Sequence, residues 1–183
     1  MKNVPISRSP AAPSPWVERW APLIRPGGLV LDLAAGAGRN VRLLLDCGFA
    51  VRAVDCDVSA LLPLAGPSCE IIETDLESGA GWPLGGGYDG IVVTNYLHRP
   101  LLRAIGQALA PGGVVIYETF AVGNERFGRP QNPDFLLRPG ELLSAFAALT
   151  IVAFEQGLVT EPRPAVIQRI VAGPLDRVPK IPV

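Results

Sequence analysis

Apolar residues along this chain fall into short runs punctuated by glycine and proline, and the runs alternate between two periodicities. In PWVERWAPLI, Trp16, Val17, Trp20 and Leu23 recur at helical spacing, with Ser14 placed as the cap and Pro15 at the first helical position. An apolar run from Gly28 to about Ala34 predicts a strand, Arg39 to Cys47 a helix closed by Gly48, and Ala50 to Asp55 a second strand. Asp57 or Ser59 opens a short helix before Pro63, Cys69 to Thr74 reads as a third strand, and GAGWPLGGG is a loop by its glycine content. The alternation then resumes. Tyr88 to Thr94 is a strand, Pro100 to Ala110 a helix ended by Pro111 and Gly112, and Gly113 to Phe120 another strand. The stretch from Ala121 to Pro139 is too rich in Gly, Pro and Asn for regular structure, and so long a loop in a compact domain is usually functional. Gly140 to Ala147 predicts a helix, and Thr150 to Glu155 and Ala165 to Val171 the last two strands. Their join, with Gly157, Pro162 and Pro164, leaves no room for a crossover element, so this pair is expected to be antiparallel.

The first strand-to-helix junction, LVLDLAAGAGRN, carries the chemistry. Asp32 precedes a turn of small residues, and a second acid, Asp55, closes the next strand about 20 residues on, the spacing of a nucleotide-type βαβ unit. The small residues Ala34, Gly36 and Gly38 alternate, which is not the G-x-G-x-x-G that faces a pyrophosphate, and no Gly-Lys-Ser/Thr follows. Alanine at 34 leaves room for a ligand to approach the backbone at a negative φ, while Gly36 and Gly38 supply the freedom a tight turn needs.

This junction resembles motif I of the class I S-adenosylmethionine (SAM) methyltransferases, acidic-x-G-x-G-x-G, with Asp32 as the acid and Ala34 in place of the first glycine. The resemblance covers nearly the whole chain. It implies an α/β fold, a Rossmann-like doubly wound, seven-stranded, mostly parallel sheet with an antiparallel last strand and helices on both faces. It also implies SAM as cofactor and methyl transfer to a small-molecule acceptor. Asp32 would meet the methionyl ammonium, directly or through water, and Asp55 the ribose hydroxyls. Asp75 with Leu76 would meet the adenine, and Asn95, Tyr96 and Leu97 would line the site near the sulfonium. Ala34, Gly36, Gly38, Asn40 and Cys56 belong to the same cofactor set. Trp16, with Trp20, either covers the cofactor or forms the buried face of the first helix.

The segments TNYLHRPLL and LAPGGVVIYETFAVGNERFGRPQNPDFLLRPGEL are similar to a compact bacterial subgroup grouped with tellurite-resistance-type methyltransferases. No Asn-Pro-Pro-Tyr stands at Asn95, so adenine or glutamine N-methylation of that type is not indicated, and neither a metal triad nor paired cysteines are present. The catalytic candidates are His98, Tyr96 and Glu118. His98, the single histidine, is either a general base or a helix-start hydrogen-bonding residue, and Tyr96 is divided between packing and catalysis. Thr119, Asn124, Glu125 and Arg129 flank the long loop as substrate-side residues, Arg129 alternatively bonding the loop backbone.

Composition narrows the setting. The length of 183 residues, nearly half of them apolar, suits one domain over residues 1–183, with 1–13 as a flexible lead. A net charge of −1 with no basic tract argues against nucleic acid as a partner. No apolar stretch approaches bilayer length, no secretory signal is visible, and Cys47, Cys56 and Cys69 are odd in number, which points to the reducing cytoplasm; a monomer or homodimer is expected. The competing reading is a non-catalytic SAM- or nucleotide-binding module in a larger assembly. A nicotinamide-dependent reductase is disfavoured by the fingerprint spacing and the missing Tyr-x-x-x-Lys pair.

Overall fold

The computed structural model of the chain describes residues 12–79 and 81–174, so residues 1–11 of the lead expected over 1–13 lie outside the described residues. Seven strands form one sheet: β1 (Leu29–Leu33), β2 (Ala50–Asp55), β3 (Cys69–Glu73), β4 (Tyr88–Thr94), β5 (Leu109–Phe120), β6 (Thr150–Val159) and β7 (Ala165–Gly173). Their spatial order is β3-β2-β1-β4-β5-β7-β6. The pairs β1–β2, β2–β3, β1–β4 and β4–β5 are parallel, while β7 runs antiparallel to both β5 and β6. The expected mostly parallel sheet with its antiparallel last strand is therefore present. The chain steps outward from β1 to β3 and then returns to β4 on the other side of β1, so the topological switch point lies between β1 and β4.

Successive strand residues point to opposite faces, and here both faces are apolar, as a doubly covered sheet requires. Val30, Val92, Val114 and Ile116 meet α1 (Pro15–Trp20) and α2 (Arg39–Asp46). Leu31, Leu33, Ile91, Val93 and Tyr117 meet α3 (Leu102–Gln107) and α4 (Glu141–Ala145). The six residues of α1 are too few to hold a helix in isolation. Burial of Trp16, Val17 and Trp20, at about 1.5–3 kcal/mol per large apolar side chain, supplies the missing stability. The Ser14 hydroxyl caps the helix by accepting from the N–H groups of Trp16 and Val17.

Several boundaries differ from the sequence reading. The helix expected over Pro100–Ala110 is a 3-10 turn at Arg99–Leu101 followed by α3, and Leu109 and Ala110 belong to β5. The reason is backbone pairing: Gly87 and Tyr88 both donate to the Ala108 carbonyl, and Leu109 pairs with Tyr88 ahead of the irregularity around Pro111 and Gly112. Gly113 admits no side chain there, because a Cβ would lie 2.6 Å from the Tyr88 carbonyl oxygen. Pro63 lies inside a 3-10 turn (Leu62–Leu64) instead of beyond a helix. The last hairpin is longer than expected, so Gly157 is a β6 residue that pairs with Ile167.

At the amino edge of the sheet, Asp89 holds the start of β1 against β4. Its carboxylate accepts from the Leu29 N–H at 2.9 Å and from Arg25 Nε and Nη2 at 2.9 and 3.0 Å. Gly28 passes so close that a Cβ would lie 2.7 Å from the Asp89 Cβ. Replacing Asp89 by Ala removes the acceptor of the partly buried Leu29 N–H, and is expected to lower unfolding free energy by about 1 kcal/mol in urea titration. Ligand binding at the opposite edge should be unaffected.

Candidate functional site

The carboxyl edge at the switch point gathers the acids that the sequence placed at strand ends. The chain leaves β1 through Ala34, whose N-terminal neighbour Leu33 is fully buried, and bends over β2. Ala35 donates to the Val54 carbonyl at 2.9 Å, and Gly36 donates to Asp55 Oδ2 at 2.7 Å. This path gives Ala34 a φ of +56°, correcting the expectation of a negative value. An L-residue in that conformation costs roughly 1–2 kcal/mol, which is why a glycine is the easier occupant. Asn95, directly after β4, has φ +57°, so both strand ends that flank the switch point turn through left-handed backbone. Gly36 needs glycine for its φ alone, since open space surrounds it; at Gly38 a Cβ would come within 2.6 Å of Leu64.

Asp32 is 1% exposed, and neither carboxylate oxygen has a hydrogen-bond partner among the described residues. Burial pushes its pKa up to about 7; Arg39 pulls it down and Asp55 adds a further upward push. Burial without a partner favours the neutral acid, and a cationic group brought beside it would favour the charged form. Asp55, at the end of β2, holds Gly36 with one oxygen and the Asp57 N–H at 3.2 Å with the other, which leaves lone pairs for two hydroxyls. The Cys56 thiol lies 3.5 Å from Asp55 Oδ1, and its pKa is raised by that contact. Asp75 is exposed after β3, with Oδ1 accepting from the Glu77 N–H at 2.8 Å, and Leu76 beside it is buried in the core. Asp32, Asp55 and Asp75 thus belong to, or closely follow, the adjacent strands β1, β2 and β3.

Other candidates take different positions. The Asn40 amide is 2% exposed and engaged at both ends: Oδ1 accepts from Ser14 N–H and Nδ2 donates to Thr94 Oγ1, each at 3.0 Å. Trp16 is 2% exposed between α1 and the sheet, with Arg169 stacked 4.5 Å over its ring, so it lies in the core, as does Trp20. Glu118 has both oxygens engaged, Oε1 by the Ser14 hydroxyl at 2.9 Å and Oε2 by Arg169 at 3.1 Å. Leu97 is buried. Tyr96 turns its hydroxyl toward Glu77 and Asp75; burial, then these acids, push its pKa well above the usual phenol range. His98 is half-buried before the turn at Arg99–Leu101 and its imidazole makes no capping bond there.

The long loop is built, with two 3-10 turns, Asn124–Arg126 and Pro133–Phe135, and a strand-like bridge between Ala121 and Leu137. Asn124, 2% exposed, accepts from the Val166 N–H and donates to the Pro130 carbonyl. Arg99 fastens the far half: it binds both oxygens of Glu141, at 2.7 and 3.1 Å, and donates to the Asp134 and Leu136 carbonyls. Burial works to raise the Glu141 pKa, but the Arg99 and Arg138 contacts outweigh it and hold the acid below its ordinary value. Thr119 is buried, while Glu125 and Arg129 are exposed. Sequence reasoning did not single out Ser14 beyond its cap, Thr94, Arg99, Glu141 or Arg169. Their partners lie 26 to 104 residues away along the chain, so no local pattern marks them.

No protein-family model matches the sequence, and no curated protein matches it. Solved structures match by fold. TehB from Haemophilus influenzae superposes with a TM-score of 0.71 at 18% identity; the match covers 86% of this chain, which spans only 61% of that protein. The 1,6-didemethyltoxoflavin-N1-methyltransferase of Burkholderia thailandensis, holding its namesake compound and S-adenosylhomocysteine, gives 0.67 at 22% identity over 88% of this chain and 77% of that one. A SAM-dependent methyltransferase from Mesorhizobium loti gives 0.64 at 20% over 85% and 97%. The fold is that of the SAM-dependent methyltransferases.

The Asp32 pKa has a testable sign. An ordinary carboxyl titrates near 3.8 and this one at about 7, so between those values the unfolded chain releases a proton that the folded one keeps. The group's contribution to stability is complete below about 4 and is lost as pH rises to about 7, a loss of roughly 4 kcal/mol. Asp32→Asn should therefore be the more stable protein at pH 8, with a flatter stability curve between pH 4 and 7. Parallel curves for the two proteins in urea titrations would refute the assignment.

Proposed function

We propose that this chain is a SAM-dependent methyltransferase acting on a small-molecule acceptor. The observation that carries the reading is Asp32: an enclosed carboxylate without a partner, at the switch point of a methyltransferase fold, under a turn that runs on to Asp55. SAM would supply a methyl group already activated on a sulfonium. The chain's part is then binding, alignment, exclusion of water and, for some acceptors, removal of a proton. Asp32 ionises against the methionyl ammonium, Asp55 accepts from the ribose hydroxyls with its remaining lone pairs, and Asp75 offers its free oxygen to the adenine amino group.

The acceptor's place is between the segment from Asn95 to His98 and the loop at 121–139, which follow neighbouring strands at the same edge. His98 is the residue we assign to take the proton of a hydroxyl or amine acceptor, because its imidazole has no capping duty. An acceptor that is already anionic needs no base. Glu118 is not assigned this task, since Arg169 and Ser14 occupy it, and Tyr96 is too weak an acid to serve as a phenolate. The Burkholderia protein of the same fold holds a small molecule beside its spent cofactor, which supports a small-molecule acceptor here. Among the described residues no helix is long and apolar enough to cross a membrane, and three free cysteines accord with the reducing cytoplasm we propose as its location.

Three ligands discriminate the readings. Incubation with SAM, but not with NAD or ATP, should raise the thermal midpoint, and release of S-adenosylhomocysteine in an acceptor screen separates an enzyme from a binding module. Asp55→Ala should weaken SAM binding at least about tenfold by calorimetry while the chain stays folded, a tenfold loss being about 1.4 kcal/mol. Unchanged affinity would remove Asp55 from the site. With an acceptor that carries a proton, His98→Asn should slow turnover about a hundredfold and flatten the pH–rate profile; an unaltered profile assigns His98 a structural role.

A further inference from the structure

Across the α1/α2 face of the sheet, at the carboxyl edge, runs a continuous hydrogen-bonded chain of side chains. Thr94 Oγ1 accepts from Asn40 Nδ2, Asn40 Oδ1 accepts from the Ser14 N–H, and the Ser14 hydroxyl donates to Glu118 Oε1. Arg169 then bridges Glu118 on β5 to Glu155 on β6, the three residues standing opposite one another in register, and stacks on Trp16. Ser14, Asn40 and Thr94 are 1%, 2% and 8% exposed. The Ser14 N–H can only donate, so it fixes which way the Asn40 amide points and leaves Nδ2 for Thr94.

The position of Asn40 matters more than its burial. It is the second residue of α2, and α2 begins at Gly38 without any side-chain cap. In the first turn, Arg42 donates to the Ala37 carbonyl at 2.7 Å and Val41 is buried, while the Asn40 side chain bonds to residues outside the helix. Thr94 is the last residue of β4, directly before the left-handed Asn95. Asn40 thus joins the two sides of the switch-point cleft, the start of α2 on one side and the end of β4 on the other. Asp32 is on the same sheet face, its register partner on β4 being Val92, two residues before Thr94.

We propose that Asn40 is a positioning residue: through Thr94 it sets the width of the half of the cleft that receives the methionyl group, and Ser14, held by Glu118, keeps its amide oriented. The proposal rests on the SAM reading above and predicts a division within the ligand. The amino-acid end should feel the loss of the brace, whereas the adenosine end, held from β2 and β3, should not.

The test measures dissociation constants of the full chain for SAM, S-adenosylhomocysteine and 5′-methylthioadenosine, which has the nucleoside and sulfur but no amino-acid group. Asn40→Ala and Thr94→Val are each expected to weaken SAM and S-adenosylhomocysteine about tenfold, one buried hydrogen bond's worth, and to leave 5′-methylthioadenosine within about twofold of the parent. The double variant should be no weaker than the worse single one, because both remove the same bond. Thr94→Val preserves side-chain volume and keeps the test decisive if Asn40→Ala does not fold. Folded variants with parental SAM affinity overturn the proposal, and so does an equal loss for all three ligands, which would signal a collapsed site. A parent chain that binds none of the three overturns the SAM reading itself.

Discussion

A carboxyl group sealed from water with neither oxygen hydrogen-bonded resists ionisation, and it stays neutral until an opposite charge is brought beside it. Asp32 is such a group. Its strand is buried on both faces, so the acid cannot turn toward solvent. The rest of the carboxyl edge is organised around this constraint. Asp55 ties down the turn, left-handed backbone at Ala34 and Asn95 carries the chain away on both sides, and Asn40 spans the gap between them. Keeping this carboxyl buried costs stability as the pH rises toward neutrality.

What could be read in the sequence was whatever two neighbouring elements determine between them. Asp32, the alternating small residues and Asp55 sit within one βαβ unit, so spacing alone announced their relation. The final antiparallel pair was legible because its join is short. The φ of Ala34 was not, since it depends on where Val54 and Asp55 of the next strand offer their hydrogen bonds. The extent of α3 was misread for a similar reason: Leu109 suits a helix by pattern, but Tyr88, distant in sequence, claims it for the sheet. Asn40 was placed with the cofactor residues by its position in motif I; only the fold shows both ends of its amide occupied.

The same distinction separates the two halves of the proposed site. The cofactor side is encoded locally, by strand ends. The acceptor side is assembled from long-range clamps, Arg99 to Glu141 and Asn124 to Val166, which turn a stretch rich in Gly, Pro and Asn into a fixed wall. If the acceptor binds there as proposed, it meets a surface already formed by these clamps. Exposed Phe127 and Phe135 give it aromatic edges.

Chain direction adds a corollary. Ser14 joins the fold at the cleft edge, bonded to Asn40 and Glu118, whereas β7 runs antiparallel and Gly173 ends beside the beginning of β5, at the far edge. The two ends of the described polypeptide therefore face opposite ways. The polypeptide thus enters the fold from the edge that carries Asp55 and Asn95 and leaves it from the edge that carries Asp89.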